Sequence, residues 1–210
     1  MRIHRSTVGN VEIAEVELLE LMDIDGVGED FGMHRFTDGV RSAQRRSEII
    51  VTRLLVGELF GDNAVLCHEE SGAPYIEVGG KRLAIGFSLS HCHGYVAMAW
   101  SETDMRVGID VELVAPRVVR VKDRVLSADE LRFVGTSMWK ATMAWTAKEA
   151  LFKCVPEDGV DFQRDLLLDL SQVEENARQS RYMAKAYGRN YVMHSYFAGR
   201  RILTVTSSKL

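Results

Sequence analysis

Three stretches of this chain hold side chains able to do metal and acid–base chemistry: Phe87-Ser-Leu-Ser-His91, Val107-Gly-Ile-Asp-Val-Glu112 and Trp145-Thr-Ala-Lys-Glu-Ala-Leu-Phe-Lys153. Together they offer three carboxylates, a histidine and two lysines. That inventory suits holding a divalent cation against a pyrophosphate while a base deprotonates an attacking hydroxyl.

Each stretch has an ordinary explanation when taken alone. Asp110 and Glu112 are separated by one residue on an expected strand, so they share a face about 6.6 Å apart along the backbone. A lone Asp-x-Glu pair is commonly a solvent-facing pair of charges. The same pair also supplies the hard oxygen donors that Mg²⁺ prefers, with Ile109 and Val111 turned to the core. The segment 145–153 is helical by propensity, and Trp145, Glu149, Phe152 and Lys153 fall on one stripe at 3.6-residue spacing. A Glu–Lys pair at i,i+4 is most often a surface ion pair worth about 0.3–0.5 kcal/mol. Trp145 and Phe152 should draw this stripe inward, making Glu149 and Lys153 candidates for shifted pKa values. Ser90 and His91 end a strand just before Gly94, where an imidazole and backbone N–H groups could meet a phosphate.

The elements that must position these residues follow from periodicity and punctuation. Ile49, Ile50, Leu54, Leu55 and Leu59 predict a helix from about Thr37 to Phe60 that stops at Gly61. Pro74–Val78, Leu83–Ser90, Tyr95–Trp100 and Arg106–Glu112 predict strands in an antiparallel meander, with Gly79-Gly80 and Ser101–Asp104 as turns. In the second half, Val118–Leu126 reads as helical, and Ser127-Ala-Asp-Glu130 has the form of a capping box. A main helix spans about Met138 to Cys154, Asp158-Gly159 marks a turn, and Tyr182–Ser207 predicts two or three strands with Gly199-Arg200 between the last two. The expected fold is α+β: two similar α/β subdomains related by a pseudo-two-fold, each with a small antiparallel sheet packed on helix. Residues 1–105 form the expected N-terminal subdomain and 106–210 the C-terminal one, with the active site at their interface.

Bulk properties narrow the classes. The 210 residues carry a net charge of −4, which disfavours a globally basic nucleic-acid binder. No apolar run approaches the roughly 18 residues of a membrane span, and the first residues lack a signal peptide's apolar core, so a cytoplasmic location is expected. Cys67, Cys92 and Cys154 are far apart and predict neither a disulfide framework nor a CxxC zinc site. His91-Cys92-His93 alternates faces if it is extended and cannot easily converge on one ion.

Taken in order, FSLSH, VGIDVE and WTAKEALFK resemble the 4′-phosphopantetheinyl transferase superfamily. Its pattern is a Ser-His strand end, a G-[IV]-D-x-E strand and W-[ST]-x-K-E-x-x-x-K on a helix. The spacings fit as well, with 19 positions from His91 to Asp110 and 37 from Glu112 to Glu149. The length resembles the long, single-chain, pseudo-dimeric type that activates surfactin synthetase, rather than the half-length trimeric type.

The resemblance implies the following roles. Asp110, Glu112 and Glu149 bind Mg²⁺, with Mn²⁺ an alternative, against the pyrophosphate of coenzyme A. Glu149, or a water it orients, takes the proton from a carrier-protein serine that attacks the β-phosphate. Lys153 stabilises or protonates the departing 3′,5′-ADP. Lys148, His91 and Ser90 lie at the coenzyme A phosphates, and Arg45 and Arg46 serve the 3′-phosphate or adenine. The family often has Gly-Lys-Pro upstream, where this chain has Gly72-Ala73-Pro74. Lys81, Arg82 or another arginine would then replace that lysine. The implied partner is an apo acyl or peptidyl carrier protein, generally an acidic helical bundle. The basic segment Arg117–Arg124 is the expected docking surface, with Val118, Val119, Val121 and Val125 adding apolar contact. A monomer is expected, with no nucleic-acid or membrane partner. Two other readings use the same residues: a metal-dependent phosphohydrolase acting on a nucleotide, and an inactive relative that binds carrier proteins or coenzyme A.

Overall fold

Alternation along four strands decides how the molecule is layered. In β2 (Val11–Glu17) and β7 (Tyr95–Ser101), Val11, Ile13, Ala97 and Ala99 pack to one side, and Ala14, Val16, Val96 and Met98 to the other. In β8 (Val107–Leu113) and β12 (Arg201–Ser207), Val107, Ile109, Val111, Leu203 and Val205 meet the first of those sides. Two sheets therefore stack face to face, and helices cover their outer faces. The computed structural model describes residues 2–18, 33–155, 157–174 and 177–207.

The first sheet has the order β1-β2-β7-β6, with β1 at Ile3–Val8 and β6 at Gly86–Cys92. Its outer face is covered by α1 (Ala43–Phe60) and by a small sheet of β3 (Ala64–His68), β4 (Pro74–Val78) and β5 (Lys81–Arg82). The second sheet has the order β8-β12-β11-β10-β9, adding β9 (Leu166–Leu168), β10 (Gln179–Ala186) and β11 (Arg189–Ala198). On it lie α2 (Pro116–Val125), α3 (Ala128–Val134) and α4 (Met138–Cys154). In each half, a strand preceding the helices pairs antiparallel with the last strand, which also pairs with the one before it. The mixed α+β architecture is as expected from the sequence.

α4 occupies the predicted span, but the side it buries is different. Ala141, Ala144, Ala147, Ala150 and Leu151 are fully buried, whereas Phe152 is 40% exposed. The reason is close approach: a Cβ on Gly108 would sit 1.9 Å from the Ala150 carbonyl oxygen. Strand and helix can meet this tightly only through small residues, so the large aromatics sit toward the rim. A buried hydroxyl chain, Thr146–Thr204–Ser195–Tyr182, links helix to sheet through contacts of 2.8–2.9 Å.

Other boundaries move for local reasons. Ser42 caps α1 by accepting from the Arg45 N–H, so the helix starts at Ala43 rather than Thr37. Gly61, at φ 96°, ends it as predicted. The capping box at Ser127 and Glu130 is present with both of its bonds. The meander breaks after β7, because β8 pairs with β12 instead. The outer edge of β8 faces β6, where Ser88 and Ser90 hydroxyls accept from the Ile109 and Val111 N–H groups at 3.1 and 3.2 Å. Side-chain oxygens thus satisfy edge donors that would otherwise need a strand. The β1–β2 hairpin, turning at Gly9-Asn10, was not anticipated, nor were β3 and β9.

Candidate active site

The period of two that sends Ile109 and Val111 between the sheets sends Asp110 and Glu112 toward α4. Both are buried, at 8% and 7% exposure, so they are not solvent-facing charges. Asp110 Oδ1 accepts from Lys153 Nζ at 2.9 Å and from Ser90 Oγ at 2.8 Å. Lys153 Nζ also donates to the Ile109 carbonyl at 2.8 Å. Glu112 accepts from the Leu113 N–H at 2.8 Å and forms an ion pair with Arg117 in the first turn of α2. Glu149 lies one turn before Lys153 and has no hydrogen bond or ion pair among the described residues. Burial, then the charges of Asp110 and Glu112, push its pKa up to about 7, against the pull of Lys153. A carboxyl group that titrates near neutrality is suited to accept a proton.

The opposite wall comes from α1 and the end of β6. Glu48, buried in α1, accepts from Gln44 Nε2 at 2.9 Å and Arg45 Nη1 at 3.1 Å, and its Oε2 lies 3.2 Å from His91 Nδ1. Arg45 Nη1 also lies 2.6 Å from His91 Nε2. A guanidinium can only donate, so Nε2 is the acceptor and the His91 proton sits on Nδ1. Burial lowers the His91 pKa, Glu48 opposes that, and Arg45 and Lys153 reinforce it. The same wall opens into a cavity of about 280 Å³ lined by Phe36, Arg45, Glu48, Arg53, His68 and His91. Arg53 stacks over the Phe36 ring at 3.6 Å.

The structure thus gathers Asp110, Glu112, Glu149 and Lys153 on one side and His91 and Arg45 on the other, with Ser90 bonded to Asp110. Arg46 turns away, and its guanidinium donates to the Val40 and Arg41 carbonyls. Lys148 corrects the sequence expectation. It is completely buried, with Nζ 2.8 Å from Glu130 and bonded to the Phe162 and Leu166 carbonyls. Its donors are spent inside the fold, so it does not face a phosphate. Ser90 is likewise buried, and its hydroxyl is committed to Asp110 and β8 rather than to a ligand.

In the expected docking segment, Val118 is buried and Val119 and Val125 are half-buried against the same core, while Val121 is half-exposed. Arg117, Arg120 and Arg124 are exposed. Arg82, a candidate replacement for the lysine missing at Ala73, pairs with Glu69 and lies over Tyr75. Cys92 is a buried thiol pushed up to about 12 by burial and by Glu112 and Asp110, so it is no nucleophile. Sequence reasoning missed Glu48, Arg53 and Phe36. Glu48 and Arg53 lie three and eight positions after Arg45, which is helical spacing on one face of α1. Phe36 precedes the helix and carried no such signal.

The donor set of Asp110, Glu112 and Glu149 is all hard oxygen and fits Mg²⁺ chemically. No group of three metal-ligating side chains stands assembled around an ion position among the described residues. Lys153 and Arg117 neutralise two of the carboxylates instead. Binding an ion would require those cations to yield their places.

Residues 106–206 match the model of the 4′-phosphopantetheinyl transferase superfamily. The chain thus carries a domain of that superfamily at residues 106–206, which includes β8, α4 and all three carboxylates. A comparison with curated proteins gave no match. The domain defines a transferase class whose general activity is phosphopantetheinylation of carrier proteins. No helix among the described residues is long and apolar enough to cross a membrane.

Proposed function

We propose that this protein transfers the 4′-phosphopantetheine arm of coenzyme A to a serine of an apo acyl or peptidyl carrier protein, releasing 3′,5′-ADP. The observation that carries this reading is the shared site. Inside a phosphopantetheinyl transferase domain, a buried carboxylate pair meets Glu149 and Lys153 across one helix face. The halves 1–105 and 106–210 each supply one wall.

The nucleotide end of coenzyme A enters the α1 cavity. Arg45, Arg53 and His91 bind its phosphates, and Phe36 offers a ring face. At about 280 Å³ the cavity falls just below the roughly 300 Å³ lower bound of ligand pockets, so it takes one end of the molecule. Glu149 accepts the serine proton, directly or through a water. The serine oxygen forms a bond to the β-phosphorus as the bond to the 3′,5′-ADP oxygen breaks. Lys153 neutralises charge on that leaving group. Asp110, Glu112 and Glu149 would hold Mg²⁺, which would supply charge neutralisation and templating at the pyrophosphate. Arg120 and Arg124 on α2 attract the acidic carrier.

The test is incubation with coenzyme A, Mg²⁺ and several apo carrier proteins, followed by mass spectrometry. A gain of about 340 Da on a carrier serine is expected for this transfer chemistry, and it should vanish with chelator and return with Mg²⁺. Cleavage of coenzyme A without a carrier would favour a phosphohydrolase. Binding without either product would identify an inactive relative.

A further inference from the structure

We infer that Glu48 is a positioning residue that sets His91 and Arg45 as one phosphate-facing pair at the mouth of the α1 cavity. The identity of the phosphate rests on the transferase reading; the positioning itself rests on the geometry of one carboxylate.

Glu48 cannot meet a ligand in solution, because its side chain is only 6% exposed. Its two partners can, with the Arg45 side chain 50% and that of His91 35% exposed. Glu48 therefore acts through them. Oε2 takes an Arg45 Nη1–H at 3.1 Å and lies 3.2 Å from His91 Nδ1, and Oε1 is held by Gln44 at 2.9 Å. A buried carboxylate is costly unless its oxygens are bonded, and this one takes donors from α1 and faces the imidazole at the end of β6.

Two consequences follow. Arg45 Nη1 at Nε2 and the Glu48 carboxylate beside Nδ1 together hold the imidazole's tautomer and ring plane. The shared oxygen also holds guanidinium and imidazole edge to edge, so both reach the same point. The order extends to His93, whose Nδ1 lies 2.9 Å from the Gln44 amide oxygen. When a phosphate arrives, its oxygens draw Arg45 away from Nε2, and the negative charges of phosphate and Glu48 favour a second proton on His91, so that Nε2–H donates to the phosphate. Removing Glu48 would free two side chains at once and weaken phosphate binding. The reacting groups on α4 and β8 would be untouched.

The experiment compares wild type with Glu48→Gln and Glu48→Ala. In ¹⁵N-histidine-labelled protein, the His91 ring should give the Nδ1–H pattern in wild type and lose it in both variants. Calorimetry should show coenzyme A binding weakened about tenfold in Glu48→Gln, the size of one charge-assisted hydrogen bond. The KM for coenzyme A should rise in parallel, with kcat within about twofold. If Glu48→Ala fails to fold, the near-isosteric Gln variant and the wild-type ring pattern carry the test. A wild-type Nε2–H tautomer, unchanged coenzyme A affinity in Glu48→Gln, or a fall in kcat with KM unchanged would each overturn the inference. Loss of the ring pattern and of affinity in a protein that modifies no carrier would sink the transferase reading and leave the positioning role standing.

Discussion

Two lysines five residues apart on α4 have opposite fates. Lys148 is wholly buried, and its charge is met by Glu130 and two carbonyls. Lys153 keeps 27% of its side chain exposed and reaches Asp110 and the Ile109 carbonyl. One holds α3 and β9 against α4, and the other faces the carboxylates. Five residues turn a helix by about 500°, so the two side chains leave the axis about 140° apart. Adjacent motif letters can thus serve the core and the cleft separately, and a family pattern does not say which is which.

The widest break in the comparison should come from the cleft side. On the proposed function, Asp110→Ala should cut transfer at least about a thousandfold, since it removes a proposed metal ligand and the partner of Lys153. Its melting temperature should stay within a few degrees, because the freed Lys153 can reach water. Carrier modification followed by mass spectrometry, with thermal unfolding beside it, checks both halves of that statement.

The lysines themselves come next. Lys148→Met should cost about 3–5 kcal/mol of stability, because it strands Glu130 without its cation. Lys153→Met should cost clearly less, because Asp110 keeps the Ser90 hydroxyl, while slowing transfer about a hundredfold. Denaturant melts and initial rates on both variants would show whether the roles separate. Equal stability losses would erase the distinction.

The α1 wall, as the proposed phosphate site, predicts a smaller, binding-type effect. Arg45→Ala should raise the KM for coenzyme A about tenfold with kcat little changed. Arg46→Ala should change it less than about twofold, since its guanidinium is turned onto the Val40 and Arg41 carbonyls.

The smallest effect is one of pH. The Glu149 pKa is raised to about 7 from 4.5, so folding favours its protonated form. Its stabilising contribution is fully present below about 4.5 and is lost as pH rises through about 7. Without added divalent ions, the wild-type melting temperature should therefore gain on that of Glu149→Gln as pH falls across this window. A constant difference from pH 4.5 to 8 would show that burial does not hold the Glu149 proton.

Much of the site was legible because its chemistry is local in sequence. Asp110 and Glu112 share a face through strand geometry alone, and Glu149 and Lys153 share one through helix geometry. The α4 boundaries and the Ser127–Glu130 capping box were readable for the same reason. The α1 wall was harder, because the contact that defines it joins His91 to Glu48, 43 positions earlier. No short pattern announces such a pairing. The expectation that Trp145 and Phe152 pull their stripe inward failed because the strand at Gly108 comes too close for large side chains.

By itself, then, the sequence determined the donor types, their order and the faces on which neighbours two or four apart must lie. Those follow from backbone periodicity, which every strand and helix obeys. Only the tertiary structure decided that Lys148 belongs to the core, that Ser90 serves Asp110 instead of a ligand, and that Glu48 underlies the histidine. Each of those outcomes depends on which distant element packs against a given side. A buried charge or hydroxyl takes whatever partner that packing supplies, because leaving it unpaired costs more than committing it.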